Sequence, residues 1–488
     1  MREFLRFKEL QTLSKNVIER LQNLRFRAVV RYLLPETRFY KKLFKDFGVD
    51  PFKLGSVYDW QKSGLPLIKK SVYMKNPKDF VVIPDKADVF SNYLSFLKSQ
   101  QEFGQMLDLV LSFDKERILK HYYSPKMVVF SGGTESGSPT PVFITAKEKA
   151  NMLSLLKIIG ELLVKNFFKG EKTVGLNLFP YGPHLAWHAV HHALDINVDL
   201  NLCTAAGGAV SSERLVLLAD KFKPNVICGM NDYLRNRWLP LAVKRKISLP
   251  KRVVFVNGAQ KLCDAEIKQI KGLAKKLGVR DCSVLDFYGA SELKEDILPE
   301  CRHKSGFHHI APLSNIIKTV SVQGNNKEFI TDWKFEDNGF AVIWNIDGAG
   351  TLLHGYLLGD FYEKVVFNKC PFCKLNTLRL YNVSRIRDVQ AQLRLTGLVE
   401  EKVKGSRVNL VKLREVALSV KGVKEAQVVL DKTGKKDSLV LYVVSDKPVL
   451  SRLRQLFASA EVKPEIKIVS LKKILGKKFK FEGVVVRK

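Results

Sequence analysis

A run of glycines and hydroxyl-bearing residues at positions 131–140, termed the glycine-rich loop, has the clearest chemical character in the sequence. Apolar segments within 128–145 lie on both sides of it. Gly132, Gly133 and Gly137 allow the backbone to turn its N–H groups toward an anion. Hydroxyl donors are added by Ser131, Thr134, Ser136 and Ser138. The pattern predicts a strand, a phosphate-binding loop and a second strand, and an ordinary flexible hairpin loop is the alternative.

The glycine-rich loop is not a P-loop of the Walker type. A Walker sequence ends in Gly-Lys-Ser/Thr and leads directly into a helix. Gly132 and Gly137 have the required spacing, but Ser138 replaces the lysine and Pro139 opposes a helix. The loop therefore suits a nucleoside triphosphate held in a different way.

Three of the seven cysteines have the spacing of metal ligands. Cys370 and Cys373 form a Cys-x2-Cys pair, while Cys301 and His308 stand in a Cys-x6-His arrangement. Three thiolates and one imidazole suit a closed tetrahedral zinc site with a structural role. Unligated thiols are the alternative. The other candidates for the imidazole ligand are His303 and His309.

The composition indicates a folded, multidomain chain in a reducing compartment. With 488 residues and 46% hydrophobic residues the chain has enough material for two or three cores. The odd number of cysteines argues against a disulfide framework. No apolar run approaches the ~18 residues of a membrane span, and the charged start is unlike a signal peptide, so we expect a cytoplasmic protein.

The net charge of +32 would attract polyanions. The basic residues are spread along the whole chain, which favours a solvated basic surface over a dedicated nucleic-acid site. No zinc-finger, ribonucleoprotein or helix-turn-helix signature is present. Nucleic acid is therefore an unlikely partner.

Alternating strands and helices occupy the middle of the chain and predict an α/β fold. Apolar runs predict strands at 173–178, 225–229, 252–257 and 281–287, with helices at 146–168, 211–222, 232–244 and 264–277. In such sheets ligands bind at the carboxyl ends of parallel strands. Two of these ends carry conspicuous loops, at 257–260 and 287–292. An aromatic-rich loop containing Tyr181 and Trp187 is a plausible wall for an organic substrate, with core packing as the alternative.

Two further regions flank this middle part. Residues 1–125 show mostly helical spacing, including 90–120. After position 396 the patterns predict a small α+β domain, with helices at 411–420 and 449–460 and strands at 426–430, 438–444 and 466–470. We therefore expect a large N-terminal domain over 1–396, with mixed or parallel sheets wrapped by helices, and a small C-terminal lid domain over 397–488.

The order of three motifs makes the chain similar to a known superfamily. The segment Tyr288-Gly289-Ala290-Ser291-Glu292, the glycine-rich loop and Leu358-Gly359-Asp360 together resemble adenylate-forming acyl-CoA synthetases, particularly phenylacetate-CoA ligases and coenzyme F390 synthetases. The likeness covers roughly residues 31–488. It implies a large domain that binds ATP and a small lid domain that moves on it.

The resemblance assigns roles to single residues. The glycine-rich loop would hold the β- and γ-phosphates, Ser291 would contact the α-phosphate and Glu292 would hold Mg²⁺. Asp360 would accept both ribose hydroxyls. Gly258 and Ala259 would line the adenine pocket, the Tyr288 ring would lie against adenine, and Gly289 would be a further nucleotide-binding residue.

The resemblance also places a hinge near Gly397. The superfamily has an arginine where this chain has Leu398, and we expect Arg385, just upstream, to replace its contact with the nucleotide. Either Glu400 or Glu401 would be the pivot residue. Other departures are one extra residue in the glycine-rich loop, a longer segment before the hinge, and an arginine at position 407 in place of glycine.

A basic segment near the C-terminus resembles the superfamily's Gly-Lys-Phe-Arg-Phe tail. By position in this motif Lys478 would be the adenylation lysine, with Lys477 in reserve. A carboxylate approaching the anionic α-phosphate needs such a cation, together with Mg²⁺, to offset repulsion.

The resemblance thus implies an AMP-forming acid-thiol ligase that activates an aryl or other apolar acid with ATP and transfers it to coenzyme A. The implied cofactors are ATP, Mg²⁺, coenzyme A as co-substrate and structural Zn²⁺, and a homodimer is a candidate assembly. One alternative keeps adenylation but uses a different acceptor or forms a stable nucleotidylated product, as F390 synthetases do. Another is a polyanion-binding protein with weakened catalysis.

Overall fold

A computed structural model describes most of the chain, which folds around two sheets in a large unit and one sheet in a smaller C-terminal unit. The described residues are 5–83, 89–112, 114–131, 139–260, 262–294, 296–322, 329–385, 400–403, 406–434, 437–458, 462–475 and 482–487.

A six-stranded sheet, termed the parallel sheet, forms the centre of the large unit. In spatial order its strands are Leu200–Leu202, Val174–Asn177, Val226–Cys228, Arg252–Gly258, Asp281–Tyr288 and Leu298–Pro299. The first five are parallel and the last is antiparallel. Successive residues Val253, Val254 and Phe255 are all fully buried, because helices cover both faces of the sheet. The predicted α/β alternation is confirmed.

Helices wrap the parallel sheet. Their bounds are Ala146–Ile159, Gly160–Lys165, Asn166–Phe168, Leu185–Asn197, Ser212–Phe222, Asn231–Tyr233, Leu234–Trp238, Leu239–Lys244 and Asp264–Lys276. Two of these segments, Gly160–Lys165 and Leu234–Trp238, are π-helical turns within longer helices. The first helix begins at a capping box, in which Thr145 and Glu148 satisfy each other's backbone N–H groups. This fixes its start directly after the second strand beside the glycine-rich loop.

A second, mostly antiparallel sheet follows in the chain, and its individual strands were not predicted. Its strands, in spatial order, are Phe307–His308, Asn376–Arg385, His354–Lys369, Gly339–Asn345, Asn315–Val322 and Trp333–Glu336, with the short strands Leu67–Ile68 and Phe329–Ile330 attached to one another. The sheet therefore recruits a strand from the N-terminal region, because Leu67–Ile68 also pairs with His354–Lys369.

The N-terminal region packs its helices against this antiparallel sheet. The helices are Phe7–Thr12, Lys15–Tyr32, Arg38–Asp46, Val57–Lys62, Lys70–Lys75, Val89–Ser99, Phe103–Leu111 and Lys115–Tyr123, with short 3₁₀ turns at Leu34–Glu36, Pro51–Lys53 and Pro77–Phe80. The helical pattern expected over 90–120 is divided into separate helices. Tyr40, Trp60 and Trp344 are fully buried in the shared core. Within the described part of the chain, no helix has both the length and the apolar character needed to cross a bilayer.

A two-stranded hairpin holds the glycine-rich loop. Pro125–Phe130 pairs antiparallel with Pro141–Thr145. The backbone N–H of Ser131 donates to the Thr140 carbonyl at 2.9 Å, which closes the base of the loop. The two predicted strands are confirmed. Residues 132–138 lie outside the described residues, and with them Gly132, Gly133, Thr134, Ser136 and Gly137.

The C-terminal unit is an α+β fold with its own apolar core. Its four-stranded sheet has the spatial order Glu465–Ile468, Ser438–Ser445, Val423–Asp431 and Val484–Arg487, and its helices are Leu410–Ser419, Leu450–Leu456 and Leu471–Leu475. A separate hairpin, Glu400–Val403 with Ser406–Asn409, precedes it. The helix over 471–475 and the last strand were not predicted. The domain boundary at 396/397 lies outside the described residues and stays a prediction.

Candidate functional site

A cleft of about 2120 Å³, termed the central cleft, opens where the parallel sheet, the antiparallel sheet and the C-terminal unit meet. The carboxyl ends of Arg252–Gly258 and Asp281–Tyr288 lie at this cleft, as the topology of a parallel sheet requires. It is lined by seven of the residues singled out from the sequence: Ser131, Gly258, Ala259, Tyr288, Gly289, Ser291 and Asp360. The fold thus gathers motifs that are up to 229 positions apart, as from Ser131 to Asp360.

Tyr288 and Asp360 are in direct contact. The Tyr288 hydroxyl donates to Asp360 Oδ2 at 2.7 Å, and it lies 2.9 Å from the Tyr362 hydroxyl. Burial raises the pKa of Tyr288 well above its ordinary value, so the hydroxyl remains a donor. Asp360 is only 3% exposed. The pair combines an aromatic ring, which offers a stacking face, with a carboxylate that can accept two hydroxyl donors.

Arg385 lies opposite Asp360 on the neighbouring strand. The antiparallel register of His354–Lys369 with Asn376–Arg385 pairs these two residues directly. Residues directly opposite in an antiparallel pair have Cβ atoms only ~5 Å apart. The backbone position of Arg385 is therefore compatible with the contact expected of it. Leu398 lies outside the described residues.

The turn after strand Arg252–Gly258 is held by side-chain hydrogen bonds. Ala259 has a φ of +63°, a left-handed conformation that costs a non-glycine residue ~1–2 kcal/mol. Asn257 Nδ2 donates to the Gln260 carbonyl and to Asp286 Oδ1, both at 2.7 Å. The Asp232 backbone N–H donates to Gln260 Oε1 at 3.1 Å. These bonds stabilise the turn that the sequence assigns to the adenine pocket.

A lysine that sequence reasoning did not assign to the site lies between two predicted site residues. Lys70 Nζ is 3.4 Å from Ser131 Oγ and 4.0 Å from Glu292 Oε1. Glu292 itself is 3% exposed. The position follows from the helix Lys70–Lys75, whose Tyr73 hydroxyl donates to the Pro141 carbonyl at 2.5 Å. The sequence signal was only a pair of lysines after an apolar run, which by itself indicates a helix start.

The aromatic loop predicted as a substrate wall also lines the central cleft. Tyr181 and Trp187 meet edge to face with ring centroids 4.8 Å apart. Trp187 Nε1 donates to the Thr204 carbonyl at 3.1 Å, which fixes the indole. His184 Nδ1 donates to the Phe130 carbonyl at 2.8 Å and so ties this loop to the base of the glycine-rich loop.

Some predicted residues fall where the structure gives no side-chain description. Lys477 and Lys478 lie outside the described residues. The backbones of Glu400 and Glu401 form part of the strand Glu400–Val403. Their roles as adenylation lysines and pivot residues stay predictions.

The four predicted metal ligands form one cluster, to which the edge strand Phe307–His308 of the antiparallel sheet contributes His308. The ligand atoms of Cys301, His308, Cys370 and Cys373 all lie within 4.8 Å of one another. Cys301 Sγ is 3.7 Å from Cys370 Sγ, and Cys373 Sγ is 3.4 Å from His308 Nε2. The hydrogen bond from Cys373 lowers the pKa of the Cys301 thiol to about 3. The arrangement favours a thiolate and fits a tetrahedral Cys3His site.

The structure selects His308 among the three candidate histidines. Its Nδ1–H donates to the Pro299 carbonyl at 3.0 Å, which leaves Nε2 as the lone-pair donor toward the thiols. His303 instead lies 2.9 Å from Asp264, and His309 lies 2.8 Å from Asp296. Both alternatives are therefore engaged elsewhere.

The sequence and the fold were each compared with those of known proteins. No protein-family model matches the chain. It is 23% identical over 291 residues to the phenylacetate-coenzyme A ligase of Thermus thermophilus, a stretch of 58% of this chain and 53% of that protein. The match thus spans about half the length of this relative.

Among solved structures, 2-hydroxyisobutyryl-CoA ligase in its postadenylation state superimposes with a TM-score of 0.68 at 15% identity, over 99% of this chain and 92% of the ligase. The chain therefore has the fold of this acyl-CoA ligase. An open conformation of the same ligase, with 2-HIB-AMP and CoA, gives a TM-score of 0.57 at 15% identity, over 98% and 93% of the two chains. The similarity of fold therefore extends over both the large unit and the C-terminal unit of this protein.

Proposed function

We propose that the protein activates a carboxylic acid with ATP, forming an acyl-adenylate and pyrophosphate, and then transfers the acyl group to coenzyme A with release of AMP. The observation that supports this most is the convergence of Tyr288, Ser291, Asp360 and the Ala259 turn on one cleft beside the glycine-rich hairpin. The superfamily fold adds to it. The aromatic wall around Tyr181 favours an aryl or other apolar acid.

In the first step the acid's carboxylate oxygen attacks the α-phosphorus of ATP and pyrophosphate leaves. Both reactants are anionic, so cationic groups and N–H donors must offset their repulsion. Ser291 and the N–H groups of the glycine-rich loop would contact the phosphates. Lys70, between Ser131 and Glu292, would add a positive charge on the same side. Lys478 would approach from the C-terminal unit.

Glu292 fits the role of a Mg²⁺ ligand, because it is a buried carboxylate beside the base of the phosphate loop. Bound Mg²⁺ would supply further positive charge on the triphosphate. Lys70, at 4.0 Å, partly neutralises this buried carboxylate.

Adenosine would lie between the Ala259 turn and Tyr288, with the ribose against Asp360. In the second step the thiol of coenzyme A attacks the acyl carbon and AMP leaves. The Cys301, His308, Cys370 and Cys373 cluster would hold structural Zn²⁺, since these four protein groups would fill a tetrahedral ligand set and leave no position for a substrate.

The decisive experiment is acid-dependent exchange of labelled pyrophosphate into ATP, measured over a panel of aryl and aliphatic acids with and without coenzyme A. Exchange with one acid class that is lost in Lys478→Ala would support adenylation. Exchange without formation of any acyl-CoA would point to another acceptor. Absence of exchange with every acid, in protein that binds ATP, would contradict the proposed reaction. The homodimer and the cytoplasmic location stay predictions.

A further inference from the structure

Five charged side chains are buried together where the C-terminal unit contacts the large unit. They are termed the charged cluster and are contributed by both units: Asp232, Arg235 and Glu266 from the large unit, and Arg414 and Glu425 from the C-terminal unit. Four of the five side chains are at most 8% exposed, and that of Arg414 is 13% exposed. A contact of this kind differs from the surface ion pairs elsewhere on the chain, which contribute little to stability.

The two arginines are held crosswise by the two glutamates. Arg235 Nη2 is 2.5 Å from Glu425 Oε2 and 3.2 Å from Glu266 Oε1. Arg414 Nη2 is 2.8 Å from Glu266 Oε1 and 2.9 Å from Glu425 Oε1. Each glutamate therefore bridges an arginine of its own unit and an arginine of the other unit.

Neutral amide and carbonyl groups make further hydrogen bonds to the side chains of the charged cluster. Asn236 Nδ2 donates to Glu425 Oε2 at 2.8 Å. Arg235 Nη1 donates to Gln269 Oε1 at 2.7 Å and to the Lys424 carbonyl at 2.9 Å. Arg414 Nε donates to the Ala426 carbonyl at 2.8 Å. Buried charges are tolerated only in such a hydrogen-bonded setting. Moving the two units apart would break the two bonds that cross between them, from Asn236 to Glu425 and from Arg235 to the Lys424 carbonyl, and would leave charges unpaired until water enters.

Asp232 connects the charged cluster to the central cleft. Its Oδ1 lies 3.5 Å from Arg235 Nη2, and its Oδ2 accepts a hydrogen bond from Gln260 Nε2 at 2.5 Å. Gln260 in turn accepts the Asp232 backbone N–H and fixes the end of the strained Ala259 turn. A continuous path of polar contacts thus joins the C-terminal unit to the turn at the adenine side of the cleft.

We propose that the charged cluster holds the C-terminal unit docked on the large unit, an interaction termed the lock. Through Asp232 and Gln260 the cluster also couples this docking to the shape of the Ala259 turn. Docking and nucleotide binding therefore strengthen one another. The nucleotide half of the inference rests on the proposed function. Because coupling between two equilibria is reciprocal, loosening the lock lowers the affinity for nucleotide, and bound nucleotide stabilises the docked position of the C-terminal unit. Arg235, Arg414 and Glu425 are thus positioning residues.

The test compares full-length Arg414→Met with wild type. Methionine keeps the apolar stem but leaves Glu266 and Glu425 facing a single arginine. A matched control is Asp446→Ala, which removes an exposed ion pair with Lys424 on the same unit. Hydrogen exchange of amides in Asp264–Lys276 and Val423–Asp431 reports the lock, and titration with ATP reports the coupling.

We expect Arg414→Met to raise the rate of amide hydrogen exchange in both segments at least ~10-fold. We also expect it to lower the affinity for ATP about 10-fold, a coupling within the usual range. Asp446→Ala should change neither. Unchanged exchange in Arg414→Met would overturn the lock. Faster exchange with unchanged ATP affinity would overturn the coupling while leaving the proposed function intact. Wild-type protein that binds no ATP would contradict the proposed function and the coupling together, and the exchange rates would still decide the lock.

A second variant covers the case in which Arg414→Met does not fold. Arg414→Lys keeps the charge but cannot bond Glu266, Glu425 and the Ala426 carbonyl at once, because an ammonium lacks the guanidinium fork. It should show the same two changes at smaller amplitude, a few-fold each. Wild-type behaviour of Arg414→Lys in both measurements would contradict the proposal.

Discussion

The Tyr288 hydroxyl donates a 2.7 Å hydrogen bond to the Asp360 carboxylate, which joins the end of a parallel strand to the middle of a strand in the other sheet. The bond places the aromatic ring beside the carboxylate expected to accept ribose hydroxyls. It also occupies one lone pair of Asp360. In the proposed nucleotide site, the ring and the hydroxyl of Tyr288 would therefore make separable contributions to binding.

Replacing Tyr288 tests this separation. Tyr288→Phe keeps the stacking face and frees Asp360 Oδ2 for the ribose, so the KM for ATP in pyrophosphate exchange should change less than ~3-fold. Tyr288→Ala removes the ring, and base stacking of ~1–3 kcal/mol predicts a rise in KM of ~5- to 150-fold. Equal losses in the two variants would show that the hydroxyl, and not the ring, carries the interaction.

Asp360→Asn should weaken ATP binding, because the substitution removes one acceptor oxygen and the negative charge. Hydrogen bonds to charged groups contribute ~1.5–3 kcal/mol, which corresponds to a KM for ATP raised by ~10- to 150-fold. The matched control is Glu363→Gln on the same strand, whose carboxylate binds Asn382. We expect the control to keep the wild-type KM. An unchanged KM in Asp360→Asn would remove this residue from the ribose site.

Lys70→Met should lower the maximal rate of pyrophosphate exchange more than it raises the KM for ATP, since the lysine lies beside Ser131 and Glu292 where negative charge develops. Loss of one such cation predicts a ~10- to 100-fold lower rate. Lys62→Met, an exposed lysine on a preceding helix, is the control. A rate that matches the control would assign Lys70 a structural role only.

The thiol cluster predicts one bound zinc per chain, measured by elemental analysis of purified protein. Cys370→Ser removes a buried ligand, so we expect loss of the metal and a fall in the thermal unfolding midpoint of several degrees, since structural zinc stabilises the folded state directly. Cys203→Ser, an exposed thiol, should change neither quantity. A metal-free wild type, or full zinc content in Cys370→Ser, would contradict the site.

Asp232 predicts a specific pH dependence of stability. Burial raises the pKa of Asp232 to about 7, and the negative charges of Glu425 and Glu266 act in the same direction. The positive charges of Arg235 and Arg414 lower this pKa. A carboxyl whose pKa is raised on folding stabilises the protein fully below the unfolded value, and this contribution is lost as pH rises through about 7.

The measurement is urea unfolding of wild type and Asp232→Asn between pH 5 and 8.5. The free energy of unfolding of wild type relative to the variant should fall across this range, by up to a few kcal/mol. Asparagine keeps the hydrogen-bonding shape but does not titrate, which makes it the internal reference. A constant difference would mean that Asp232 is ionised in the folded protein across this range, as it is in the unfolded chain, and would contradict the raised pKa.

Local patterns in the sequence predicted the alternating strands and helices over 146–287, because burial on both faces leaves continuous apolar runs that are visible without knowledge of partners. The same reasoning missed the antiparallel sheet. Strand His354–Lys369 pairs with segments as far away as Leu67–Ile68, and no local signal records such a pairing. The short helix and strand at the end of the C-terminal unit were missed for a similar reason, since four or five residues carry too little periodicity.

For the candidate site, the residue types and their order predicted Tyr288, Asp360 and the three clustered cysteines, because stacking by an aromatic ring, hydrogen bonding by a carboxylate and metal binding by thiolates are properties of the side chains themselves. Tertiary structure alone selected His308 over its neighbours, brought Lys70 to Ser131, and buried Arg235 against Glu425 across 190 positions. The sequence by itself determines the chemistry of each side chain. The distances between side chains, their burial and their partners are decided only when remote segments pack together.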